Sequence, residues 1–300
     1  MMADARDAPV SPMAALAVAV FAVSTSAILV RWSEAPSVIK AFYRVVFTAA
    51  LVAPAAAARH GDDFRRLSRR DSAMAVVAGL ALAVHFASWF ESLNHTSVAA
   101  SVTLVQTQPL FVAAGAYLLL SERVTRRTVA GIAVALVGAA AMSLGDAGGA
   151  GTTGRALLGN SLAVLGAVTA AGYVLAGRSI RQRVSLFPYV TVVYVACAAA
   201  LLVVVLARSY PLLDYPPREW LLFLGMAVGP GVFGHTVINW ALEHVESSVV
   251  SVSLLGEPVG SALLAMVLLA EVPSAATVVA GAVVLGGIYV TTTAREGDAA

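Results

Sequence analysis

Apolar residues follow one another along this chain in blocks of about twenty, with the polar residues gathered into short stretches between the blocks. A helix rises about 1.5 Å per residue, so about twenty consecutive apolar residues cross the hydrocarbon core of a bilayer. The pattern predicts ten such helices, over residues 11–30, 37–58, 72–93, 97–120, 127–145, 158–177, 187–207, 219–241, 247–270 and 275–293. The fold class read from this pattern is an all-α integral membrane protein.

Composition agrees with the pattern. Of 300 residues, 59% are hydrophobic and only 12% are charged, against roughly 25% charged in soluble domains. The single cysteine, Cys197, excludes an internal disulfide. The first block follows only Arg6 and is needed by the repeat described below, so it is read as a retained helix rather than a cleaved signal. Placement of charge matters more than the net +2. With the N-terminus inside, thirteen of the nineteen Lys and Arg fall on the cytoplasmic side, among them Arg59, Arg65, Arg66, Arg69 and Arg70, then Arg123, Arg126 and Arg127, then Arg178, Arg181 and Arg183. Excess Lys and Arg in short loops marks the cytoplasmic face. The expected location is therefore the cell (cytoplasmic) membrane, multi-pass, with both termini cytoplasmic. The basic run "RRLSRR" between two blocks is topogenic on this reading, and no nucleic-acid partner is expected.

Laying the fourth block on the ninth at an offset of 149 residues places Pro109 on Pro258, Glu122 on Glu271, Thr128 on Thr277 and Gly138 on Gly287. With a slip of two residues, Trp89 falls on Trp240 and Ser97 on Ser248. The chain therefore reads as two repeats of five helices, residues 11–145 and 158–293. Five is odd, so the second repeat enters the membrane inverted relative to the first. Inverted repeats are characteristic of secondary transporters, with the substrate site near the midplane where the halves meet.

The segments "PLFVAAGAYLLLSERVT" and "PVGSALLAMVLLAEVPS", with "AFYRVVFTAAL" in the second block and "NSLAVLGAVTAAGYVLAGR" in the sixth, resemble the EamA-type transporters of the drug/metabolite transporter superfamily. The resemblance runs from about residue 12 to 293. It implies a ten-helix carrier whose central cavity lies between the halves. It further implies outward movement (efflux) of amino acids, metabolites or drug-like compounds without nucleotide hydrolysis or a cofactor.

Within the blocks a few polar residues stand out. Glu257 is the eleventh of the twenty-four residues from Ser247 to Ala270 and their only charge. A charge at that depth costs about 2.5–3.5 kcal/mol on insertion scales, so Glu257 is expected to face a cavity or a partner. A carboxyl there would suit proton coupling, or, protonated, would hydrogen-bond a carbonyl freed by the neighbouring proline. Pro258 and its counterpart Pro109, with Gly256 and Gly260, are candidate bending points, and the two glycines form a small-xxx-small face. Gln108 occupies the position matching Glu257, and Gln106 lies two residues before it. With His85, Trp89, His235, Asn239 and Trp240, these are the candidate substrate-binding residues. The "GPG" at 229–231 is expected to break the eighth helix just before His235. Arg44 either snorkels to the interface, pairs with an acid such as Glu91, or meets a substrate carboxylate. Glu122 and Glu271 are expected to close their helices at opposite membrane faces and anchor the turns that follow.

An enzyme is not expected. The sequence has no H-E-x-x-H, no G-x-S-x-G and no metal-ligand cluster, and "GDAGGAGTTGR" lacks the Lys-Ser/Thr of a phosphate loop. The partners expected are a small-molecule substrate, protons as coupling ion, and the lipid bilayer. The sequence is silent on oligomeric state. A passive channel or facilitator is the alternative to a carrier.

Overall fold

The computed structural model describes residues 11–64, 67–120, 125–147, 153–181, 184, 186–238 and 253–294, and among these every regular element is a helix. The first half holds α1 (Pro12–Trp32), α2 (Ser37–Phe64), α3 (Arg69–Ser92), α4 (Val98–Val105), α5 (Gln108–Leu120) and α6 (Arg126–Ala147). The second holds α7 (Thr153–Arg181), α8 (Leu186–Ala207), α9 (Pro217–Met226), α10 (Gly256–Leu268) and α11 (Ala275–Ala294).

Among the described residues six stretches are both long and apolar enough to cross a membrane: Met13–Trp32, Ser37–Pro54, Arg69–Ser92, Val98–Gly115, Gly154–Gly177 and Pro188–Ala207. The structure departs from the expectation of ten simple spans in three places. The fourth block is two helices, α4 and α5, parted by a turn at Gln106 and Thr107. The eighth block does not break at "GPG"; α9 continues without a stop as a π-helix over Ala227–Thr236. Pro230 has no N–H to give to a ladder, and the wider π-turn carries the chain past it. The ninth block begins, in its described part, with a short turn at Leu255 before α10.

Large apolar side chains cover the outside, including Phe21, Val77, Leu118, Val137, Val203 and Val267. A water-soluble chain would expose far smaller patches; lipid is the matching solvent. Inside, packing relies on small residues that bring backbones together. A side chain at Gly79 of α3 would strike the backbone of α8 at Val193 and Cys197.

The halves interlock. α1 packs on the π-helix and α10, and its counterpart α7 packs on α3, α4 and α5. The equivalent helices α6 and α11 lie against each other through glycines, Gly131 on Thr291, Gly138 on Val284 and Gly287 on Ala135. Residue number rises in one helix by the same steps as it falls in the other, so the two run antiparallel. The Gly138 and Gly287 contacts are copies of one another across the 149-residue offset. The helix starts are copied too. Thr125 accepts the Thr128 N–H at 3.1 Å and Ser274 accepts the Thr277 N–H at 3.1 Å, each satisfying a donor that a helix N-terminus leaves open.

Candidate functional site

The broken helices put polar residues at the centre. The α4–α5 turn ends one helix and starts the next within two residues, and α10 starts at the corresponding place in the second half. Pro109 and Pro258 therefore sit in the first turn of α5 and α10, where the missing N–H costs nothing. The Gln106 side chain, at the turn, donates from Nε2 to Glu257 Oε2 at 2.8 Å and lies 3.4 Å from the Leu254 carbonyl. One amide thus ties the two halves together at their breaks. Gln108, the sequence counterpart of Glu257, is half-buried and does not join this pair.

α1 closes tightly over this region. Ser261 donates to the Ser24 carbonyl at 3.1 Å, and a side chain at Gly260 would strike the Ser24 hydroxyl. At Gly256 an added Cβ would come within 3.1 Å of Val20. The two glycines therefore serve the approach of α1 to α10.

α3 contributes an aromatic face. His85 stacks on Trp89 with centroids 5.9 Å apart, and Phe86, Phe90 and Trp89 form a continuous cluster. His85 Nδ1 lies 2.9 Å from the Gly166 carbonyl. A carbonyl only accepts, so Nδ1 carries the proton and Nε2 is left for another partner. Trp89 Nε1 is buried with no hydrogen-bond partner among the described residues. His235, in the last turn of the π-helix, keeps its side chain accessible. Asn239 and Trp240 lie outside the described residues.

Arg44 departs from two of its three sequence readings. It neither snorkels nor pairs with Glu91. The side chain is only 3% exposed, donates to Ser26 Oγ at 2.8 Å, and lies over Phe86, 4.6 Å from the ring centroid, and Phe90, 5.7 Å away. Glu91 instead accepts from Ser37 at 2.7 Å and Asn94 at 3.2 Å and meets His95 at 3.0 Å. The helix start at Ser37 and the aromatic face of α3 decide the difference, because each offers a nearer partner. Phe86 and Phe90 were not singled out by sequence. The spacing of "HFASWF", which repeats aromatics at i and i+4, is the signal that could have found them.

Glu271 also differs from expectation. It does not anchor the turn into α11. Ala270, with φ of 53°, ends α10 in the left-handed region and turns the chain. The Glu271 carboxylate then accepts the Val98 N–H at 2.5 Å and pairs with Arg31 at 2.7 Å, while Arg31 also donates to the Leu93 carbonyl. This cluster joins the ends of α1, α3 and α10 to the start of α4. Glu122 lies outside the described residues.

Among the described residues no group of His, Cys, Asp and Glu has the geometry to hold a metal ion.

The model of the EamA-like transporter family matches residues 11–144 and again 157–293. The chain belongs to the EamA-like transporter family. As an EamA-like protein it is a multi-pass membrane protein of the drug/metabolite transporter type, with a two-repeat architecture. One curated relative, the pseudopaline exporter CntI of Pseudomonas aeruginosa (strain UCBPP-PA14), is 27% identical over 219 residues, covering 73% of this chain and 74% of the relative. A solved crystal structure with 24% identity superposes with a TM-score of 0.64 over 97% of this chain and 99% of its own, so the EamA-like chain shares that fold. The family and the exporter relative place the chain among transporters of small solutes.

Proposed function

We propose that this protein is a secondary carrier that moves small organic solutes out of the cell by alternating access. Ten membrane helices would form two inverted repeats, with both termini cytoplasmic. The observation that carries the reading is the Gln106–Glu257 hydrogen bond, made where a broken helix of one half meets a broken helix of the other. Discontinuous helices facing each other at a repeat interface are where carriers bind substrate and coupling ion. The antiparallel packing of α6 on α11 supports the inversion, because equivalent helices of inverted halves must run in opposite senses. The exporter relative supports outward direction.

Glu257 would take up and release a proton as its surroundings alternate between wet and closed. Gln106, Gln108, His85, His235 and Asn239 would meet substrate polar groups, and Trp89 and Trp240 would form apolar walls. Pro109, Pro258, Gly256 and Gly260 would let the helix breaks flex.

The test is counterflow with the purified protein in proteoliposomes. Unlabelled solute inside should drive transient accumulation of labelled solute against its gradient. A pore equilibrates the label without overshoot, so uptake lacking an overshoot would replace the carrier with a passive channel.

A further inference from the structure

Among the described residues no carboxylate pairs with the buried charge of Arg44. Its guanidinium has five N–H donors in a planar fork. Ser26 takes one of these, and no ion pair reaches Arg44 among the described residues. The rings of Phe86 and Phe90 face it, and such contacts stabilise a cation without supplying an acceptor. A cation buried without a counter-ion is costly, and an incoming anion would offset that cost. Glu257 lies within the electrostatic reach of Arg44 but gives its carboxylate to Gln106.

A second observation points the same way. Trp89 is 5% exposed and its Nε1–H has no acceptor among the described residues. Its ring packs on Phe90, which itself lies under Arg44. At this aromatic face the Trp89 N–H therefore lacks an acceptor among the described residues, and Arg44 has the Ser26 hydroxyl but no anion. His85 Nδ1 bears its proton toward the Gly166 carbonyl, and no acceptor among the described residues reaches the indole N–H.

From this pattern we infer that Arg44 is the anion-recognition residue of the central site, and that the transported solutes carry a carboxylate. The planar fork of Arg44 meets two carboxylate oxygens side by side, which a lysine at the same place could not do. The aromatic face beneath holds the guanidinium in plane, and Ser26 fixes its rotation. Apolar parts of the solute would then lie along Phe86, Phe90 and Trp89. This inference rests on the carrier reading and narrows it to a chemical class.

The experiment uses the full chain, purified and placed in lipid nanodiscs. Ligand-induced thermal stabilisation is measured with L-amino acids, each beside its methyl ester and its decarboxylated amine. The panel also includes dicarboxylates, nucleosides and cationic dyes. For at least one acid, the ester and amine should bind about tenfold more weakly or worse, since a site built to hydrogen-bond a group rejects analogues lacking it. Arg44→Gln should remove that discrimination by weakening the acid alone, and Arg44→Lys should keep part of it. If the wild type binds ester and acid equally, the inference is overturned without any variant. Unchanged acid affinity in Arg44→Gln overturns it as well. Counterflow of nucleosides or dyes with no carboxylate bound would sink the inference and leave the carrier standing. Absence of counterflow with every solute of the panel would remove both.

Discussion

Glu257 and Gln106 form a pair whose two members fail differently when replaced. Glu257→Gln keeps a side chain that can still meet Gln106 but cannot exchange a proton. Solute counterflow should persist while the response of transport to an imposed pH gradient is lost. Gradient-driven transport at the wild-type rate in this variant would end the coupling role. Gln106→Leu leaves the Glu257 carboxyl without its donor, and an unmet buried polar group costs about 1–3 kcal/mol. Thermal unfolding should register that loss together with slower transport. At Gly287 and Gly260 the limit is steric, since a Cβ would meet the Ala135 backbone or the Ser24 hydroxyl. Overpacking costs about 1–3 kcal/mol, and Gly287→Val should fall at the upper end because backbone cannot swing aside. An unchanged melting temperature for Gly287→Val would contradict the close approach of α6 and α11.

At the scale of elements, the breaks matter more than the helices around them. The α4–α5 turn lies at Gln106 and Thr107, before Pro109, and α10 starts before Pro258. Each proline therefore begins a helix, and its alanine variant can extend helix back across the break. Pro109→Ala with Pro258→Ala should slow the turnover of counterflow several-fold with little change in apparent affinity. Normal turnover in the double variant would remove the prolines from the bending mechanism. The π-helix raises a related point. Its glycines press against α1 and α2, Gly234 on Val23 and Gly231 on Thr48, so a regular α-helical path would shift them along that contact. The "GPG" pattern marked an irregular place correctly, but whether a chain breaks or widens there depends on the neighbours that accept it.

For the whole molecule, the Arg31–Glu271 pair ties the two halves together at one end. It joins α1 of the first half to the end of α10 in the second, with α3 and α4 held alongside. A carrier must release such a contact to open on that side. Arg31→Gln should shift the population toward a conformation open at that face, since removing a contact made in only one state favours the other. The readout is a cysteine placed at His235 in a Cys197→Ser background and labelled with a membrane-impermeant thiol reagent from outside. Labelling should accelerate several-fold in Arg31→Gln and in Glu271→Gln. Equal labelling rates with and without the pair would show that it seals nothing.

Much of this architecture is local and additive, which is why it could be read from the chain. Helix length against bilayer thickness set the all-helical membrane class, and the doubled Pro109–Glu122 and Pro258–Glu271 spacing exposed the two repeats. The depth of Glu257 in an apolar block marked it as exceptional, since burial of charge is costly wherever it occurs. Which side chains meet is a different matter. Gln106 rather than Gln108 reaches Glu257 because the turn between α4 and α5 redirects the chain. Arg44 lies on the rings of α3 rather than at the interface because α2 presents it inward against Phe86 and Phe90. Glu271 reaches Arg31 across the halves only because Ala270 turns the chain back. Those pairings depend on contacts between residues far apart in sequence, and periodicity carries no information about such distances; packing alone decided them.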